Sequence, residues 1–337
     1  MDNNKKNGFE WFASGNAPVL FPTELVAGGF LFEDLTKLDI PESNPFATGW
    51  GKPVSMHLLP DNHHPAPKFI LIIWFSIVEA KFYTVSEELP QEQIKALLAE
   101  KDEKTKKPKY NRIIAGMAPY GKLAIWLSGN GITTEVAWLQ GKDTQSEMKD
   151  FNPKSKLSKE KYAEKALADC KEALKNFQEN GLPSPVLFKR YMQRFNYRIT
   201  PKFDDANFES IELYYYNGEL NTTKTNEYNA VMMRAKPSKI VLNWSKDKTQ
   251  YSGYFWTDEK KIMAAFKDCY GDDAQKEGDF IIQVEKSQKQ FRFFLKNSDA
   301  SIEIPEEDMQ YIIFKNKFEF CRSNNYNKPK GGWRIEN

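Results

Sequence analysis

The 337-residue sequence has only three histidines, His57, His63 and His64, all in one proline-interrupted stretch. A Ser-His-Asp constellation needs a histidine that can be set against both a nucleophile and a carboxylate, so none can be nominated. There is no G-x-S-x-G elbow and no H-E-x-x-H pair. Cys170, Cys269 and Cys321 are the only cysteines and have no C-x-x-C spacing. That argues against a zinc site or a disulfide framework and leaves three free thiols. No run of eighteen apolar residues occurs, so no spanning helix is expected. Charge of one sign is also missing: 48 basic and 46 acidic residues leave a net +2. Without a single-sign field, nucleic-acid binding is disfavoured.

Two further patterns are set aside on chemical grounds. Gly116 to Gly121, G-M-A-P-Y-G, lacks the lysine and helix start that cradle a phosphate and reads as a β-turn. The acidic pairs Glu87-Glu88, Asp204-Asp205, Asp272-Asp273 and Glu306-Glu307 sit where turns or helix starts are expected, as capping and solvation predict. His57, Asp61, His63 and His64 include metal-ligand types, but adjacent histidines do not readily chelate one ion and Pro65 prevents a helical site. No enzyme activity, cofactor or metal is therefore expected.

What is present is a repeated strand. Lys68 to Ser76, K-F-I-L-I-I-W-F-S, returns as Ser238 to Lys246, S-K-I-V-L-N-W-S-K, with Trp74 over Trp244. At an offset of 168 residues Ile94 falls on Ile262, Leu98 on Phe266, Ile113 and Ile114 on Ile281 and Ile282, and Leu127 on Leu295. Such phase predicts an α+β fold of two tandem pseudo-repeat modules. Each is a mainly antiparallel sheet with one packed helix, and an amphipathic helix joins them. The boundaries read as a polar tail over 1–8, a first module over 9–150, a linker with its helix over 151–183, a second module over 184–322 and a polar tail over 323–337.

Along the chain, Phe9 to Ser14 and Glu24 to Phe32 flank Asn16-Ala17-Pro18 and read as two strands of one antiparallel sheet. From Asp34 to Ala66 five prolines destroy periodicity around Gly49-Trp50-Gly51, and loops of that length tend to be functional. Glu79 to Val85 alternates as a hairpin partner of the central strand. Pro90 to Glu100 has the apolar spacing of a helix, and two hairpins follow around Ala118-Pro119-Tyr120-Gly121 and Gly129-Asn130-Gly131. Ser158 to Asn180 reads as one continuous amphipathic helix capped by Ser158 and stopped by Gly181. In the second half, Phe195 to Ile199 and Ser210 to Tyr216 match the opening strands. Tyr311 to Phe314 and Phe318 to Cys321 add a hairpin.

W-F-S-I-V-E-A-K-F-Y at Trp74 to Tyr83, I-I-A-G-M-A-P-Y-G-K-L-A-I-W-L at Ile113 to Leu127, R-F-N-Y-R at Arg194 to Arg198 and Y-Y-Y-N-G-E at Tyr214 to Glu219 carry a family likeness. Together they resemble a bacterial family, domain of unknown function twenty-nine thirty-one, over roughly Phe9 to Phe320. Many members look like lipoproteins, and some are encoded beside type six secretion effectors, notably phospholipases. The resemblance implies an immunity protein that binds and neutralises such a lipase in the periplasm, lipid-anchored in its full-length precursor. Met1 to Gly8 has no apolar signal core. A lipoprotein trimmed at its lipidated cysteine would begin this way, and so would a cytoplasmic protein with a frayed start. The rival function is a glycan- or ligand-binding surface lipoprotein stacking sugars on exposed aromatics. For the immunity reading the unmatched loop supplies the partner-binding candidates Trp50, His57, His63 and His64, with Trp50 as the interface anchor.

Overall fold

Alternating apolar residues along Phe69–Ser76 place Ile70, Ile72 and Trp74 on one face, and all three are fully buried. The computed structural model describes residues 8–42, 45–54, 63–223, 226–316 and 319–324. The described residues divide into two compact units, the first ending at Pro185 and the second beginning at Val186. The fold is α+β, with mostly antiparallel sheets and six α-helices among the described residues.

In the first unit one sheet runs in the order Lys142–Asp143, Lys81–Glu88, Phe69–Ser76, Thr23–Leu31, Lys37–Asp39. Facing it are Phe12–Asn16, Tyr110–Ala118, Lys122–Gly129 and Ile132–Gln140, paired in that order. Trp74, Ile72 and Phe30 from the first set and Ile113, Ile125 and Leu127 from the second share one core, with Ile94 and Leu98 of the helix Gln91–Ala99. Phe12–Asn16 pairs parallel with Tyr110–Ala118. The two opening strands therefore lie in different sheets, and the expected antiparallel neighbours at Phe9 to Ser14 and Glu24 to Phe32 are not neighbours. A parallel partner must come from far along the chain, because a parallel pair cannot be closed by a tight turn.

The second unit is also a pair of sheets. Asn207–Tyr215, Pro237–Lys246, Thr249–Thr257 and Met309–Lys315 lie side by side and antiparallel, with Glu319–Asn324 as an added edge. Phe195–Phe203 crosses to the other sheet and pairs parallel with Gly278–Val284, which continues through Phe291–Asn297 to Ser301–Ile304. The helix Glu259–Tyr270 is capped by Asp258, whose carboxylate accepts from the Lys261 N–H at 3.0 Å. It buries Ile262, Phe266 and Tyr270 in this unit's core.

The stretch after the first unit's sheets is helical but not continuous. Ser158 caps Lys159–Asp169 as its sequence predicts, and a second helix, Lys171–Asn180, follows. Between them Cys170 takes φ −104° and ψ 74°, which ends the single expected helix over Ser158 to Asn180. Tyr162 packs on Phe75 and Phe151, and its hydroxyl donates to Glu24 at 3.0 Å. That carboxyl is buried, and burial raises its pKa. These helices thus dock on the first unit. No helix among the described residues is long and apolar enough to cross a membrane.

Candidate functional site

Residues 49–54 of the irregular loop are pinned across the outward face of the four-stranded set in the first unit. Ala13 faces the core, so Ser14 and Asn16 face outward with Gly116, Ala124 and Trp138, which lie in one register row. The Ser14 hydroxyl accepts the Val54 N–H at 3.1 Å, the Asn16 amide donates to the Lys52 carbonyl at 3.0 Å, and the Gly49 N–H donates to the Ala17 carbonyl at 3.0 Å. Phe46, Ile40 and Ala66 of the same loop are buried in the core.

Trp50 lies where this loop crosses the face. Its indole stands edge-on to Trp126 at 4.8 Å and 88°, and tilted against Trp138 at 5.6 Å. Ile114 and Ala124 complete the cluster. Gly116 is required beneath it, because a Cβ there would overlap the Trp126 ring and crowd Asn16 Oδ1 at 2.6 Å. Trp126 is fully buried, while Trp50 and Trp138 are half-buried.

The histidines occupy a different neighbourhood. His63–His64 forms a short antiparallel pair with Phe9–Glu10. The His64 ring stacks on Phe32 at 6.0 Å and meets Trp11 edge-on at 5.7 Å. The Trp11 indole N–H donates to the His64 and Pro65 carbonyls at 3.3 and 3.2 Å. His57 and Asp61 lie outside the described residues. No group of three or more metal-ligand side chains occurs among the described residues.

The motif residues of the first half meet at Glu79. Its carboxylate accepts from the Ser76 hydroxyl at 2.7 Å, the Tyr83 hydroxyl at 2.9 Å and the Tyr120 N–H at 2.9 Å. Burial, ahead of this carboxylate, raises the pKa of Tyr83. Tyr120 sits at φ 61° and its hydroxyl reaches the Pro183 carbonyl at 2.7 Å. A carboxylate so engaged holds turns together, and the motif Trp74 to Tyr83 encodes that clamp.

Sequence reading missed the buried cations of the second unit, because Lys and Arg are by default exposed. Arg234 is buried and donates to the Tyr197, Tyr228 and Ala230 carbonyls at 3.3, 3.2 and 3.1 Å. Lys236, 2% exposed, donates to the Arg190 carbonyl at 3.0 Å and Gln193 Oε1 at 3.3 Å, with its ammonium 4.7 Å over the Phe195 ring. Burial, with Arg190 nearby, pushes its pKa down to about 8 from 10.5. The folded state therefore holds fewer protons than the unfolded chain between those values, and stability should rise with pH across them. The burial of Cys269 and of several tyrosines raises their pKa values and acts in the opposite direction, so the rise is read as the difference in slope between wild type and Lys236→Met in denaturant titrations from pH 7.5 to 10.5. An unchanged slope in the variant would assign the rise to other groups. In the same unit Lys239 lies over Tyr214, Tyr254 and Trp256 at 4.7, 5.5 and 5.7 Å.

Compared with known proteins, residues 1–184 match the family described as "Protein of unknown function (DUF2931)". The match ends beside the unit boundary at Pro185, short of the span to Phe320 that the motifs suggest, and Arg194 to Arg198 and Tyr214 to Glu219 lie beyond it. No curated protein and no solved structure matches the chain. With more than half of its length matched, the chain belongs to the DUF2931 family.

Proposed function

We propose that the chain is a non-enzymatic binding protein, an immunity protein that binds and neutralises a type six secreted, lipase-like effector. It would act in the periplasm, held there by a lipid anchor on the precursor. One observation carries the reading: an outward sheet face bears Ile114, Ala124, Trp126 and Trp138 with a loop indole laid on top. Outward faces of antiparallel sheets are ordinarily polar, and tryptophan-centred patches are what binding energy concentrates in. The rival glycan reading asks for exposed, coplanar rings. Tyr254 and Trp256 are within 20° of parallel, but Trp256 is buried, which gives that reading little support.

The test is co-purification with the product of an adjacent effector gene, together with protection of cells producing that effector. The intact protein should bind, and Trp138→Ala should weaken binding by more than about 2 kcal/mol with an unchanged circular dichroism spectrum. Failure of the intact protein to bind or protect would reject the immunity role.

We further infer that the scaffold is one module used twice. In each unit the first strand pairs parallel with the strand after the helix, as with Phe12–Asn16 and Phe195–Phe203. Trp74 pairs with Tyr83 across strands and Trp244 with Tyr251, their rings 5.6 and 5.5 Å apart. Both observations support the duplication.

A further inference from the structure

We propose that residues 47–54, which follow the core-anchored Phe46, are a displaceable strap, and that the sheet face beneath recognises an extended, aromatic-anchored segment of a partner protein, of which the strap is an internal copy. This rests on the binding reading above and names the kind of partner surface that would dock.

The contacts that hold the strap are of a generic kind. The face accepts one N–H at Ser14 Oγ and another at the Ala17 carbonyl, donates from Asn16 Nδ2 to a carbonyl, and receives an indole against Trp126 and Trp138. Any extended segment with a large aromatic and backbone groups at that spacing offers the same set.

The strap also fits the face incompletely. Asn16 is fully buried, yet its Oδ1 has no hydrogen-bond partner among the described residues, and neither has the buried Nε1 of Trp138. Buried polar groups are rarely left so, and each is destabilising. A segment arriving in trans with one extra donor and one extra acceptor would satisfy both, and so would outcompete the strap. Trp50 is flanked by Gly49 at φ 109° and Gly51 at φ 75°. Backbone rotation on either side of the anchor is thus not limited by side chains.

The experiment titrates a fluorescein-labelled peptide with the sequence of residues 47–54 against the wild type and Trp50→Ala, with polarisation as readout. Removing the internal indole should raise peptide affinity by at least about tenfold, since the strap no longer competes. A peptide with alanine at the tryptophan position should not bind, and Asn16→Leu added to Trp50→Ala should abolish binding of the intact peptide. Equal affinity for both proteins, or binding that ignores the peptide tryptophan, would overturn the proposal. Should Trp50→Ala fail to fold, hydrogen exchange of the wild type decides. The Gly49 and Val54 amides should exchange at least about a hundredfold faster than that of Ile125, by local opening. Exchange at the Ile125 rate would overturn the strap. Neither measurement uses an effector. Peptide binding without effector capture would keep the strap and reject immunity, and effector capture without peptide binding would do the reverse.

Discussion

Replacing Trp244 with alanine is expected to lower the stability of the second unit by about 5 kcal/mol, the largest single loss in the chain. Truncating a buried tryptophan typically costs about 3 to 5 kcal/mol in lost burial and residual cavity. Trp244 is fully buried, stacked on Tyr251 at 5.5 Å and 8°, with Phe291 edge-on at 6.0 Å. It also does something Trp74 does not. Its indole N–H donates to Gln288 Oε1 at 2.8 Å, and Gln288, 2% exposed, holds the turn by donating to the Glu285 and Lys286 carbonyls. Truncation leaves that buried amide oxygen without its donor, an added cost of about 1 kcal/mol or more. The Trp74 Nε1 has no hydrogen-bond partner among the described residues, so Trp74→Ala should cost only the packing share, about 3 to 5 kcal/mol. Guanidinium titrations followed by circular dichroism measure both. Losses below about 1 kcal/mol would mean that the sheets repack around the gap.

The second large effect is expected at Arg234. Its guanidinium is a five-donor plane inside the protein, bonded to three carbonyls and to the Tyr215 hydroxyl at 3.4 Å. Beside it, Arg194 grips Glu219 in a two-pronged pair at 2.8 and 2.9 Å. Arg234→Ala removes the donors but leaves the carbonyls buried, and each buried acceptor left without its donor costs about 1 to 3 kcal/mol. Arg234→Lys keeps the charge but not the fork, so it should recover less than half of the loss. Thermal and denaturant unfolding of the two variants separates shape from charge. A lysine variant as stable as the wild type would show that charge alone is needed.

The sequence made the strands and turns readable because their signals are local. Ile70, Ile72 and Trp74 announce one buried face, and Ala118-Pro119-Tyr120-Gly121 announces a turn, as found at Pro119–Gly121. Sheet membership was not readable, since alternation says which residues face together and nothing about the neighbouring strand. Hence Phe12–Asn16 was misplaced. The break at Cys170 was equally silent, because the residues around it, Asp169 and Lys171, are unremarkable in a helix. The burial of Arg234 and Lys236 was not readable either, because only tertiary contacts turn these cations inward. Trp50 stood out as a large residue between glycines, but its partners Trp126 and Trp138 lie 76 and 88 residues away and could not be inferred from spacing.

The parallel pairing of each unit's opening strand governs how the protein can be made. Phe12 waits for Arg112 before its strand gains a ladder partner, and Tyr197, which Met232 can pair on one side, waits for Gly278 on the other. A chain emerging from a ribosome or a translocation pore therefore carries an unpaired, apolar edge through most of the synthesis of each unit. Closing so long a loop is entropically slow, and exposed edges invite pairing with other chains. Each opening strand thus joins its parallel partner only after the strands and helix between them have been made, and its edge is open to wrong pairing throughout that interval.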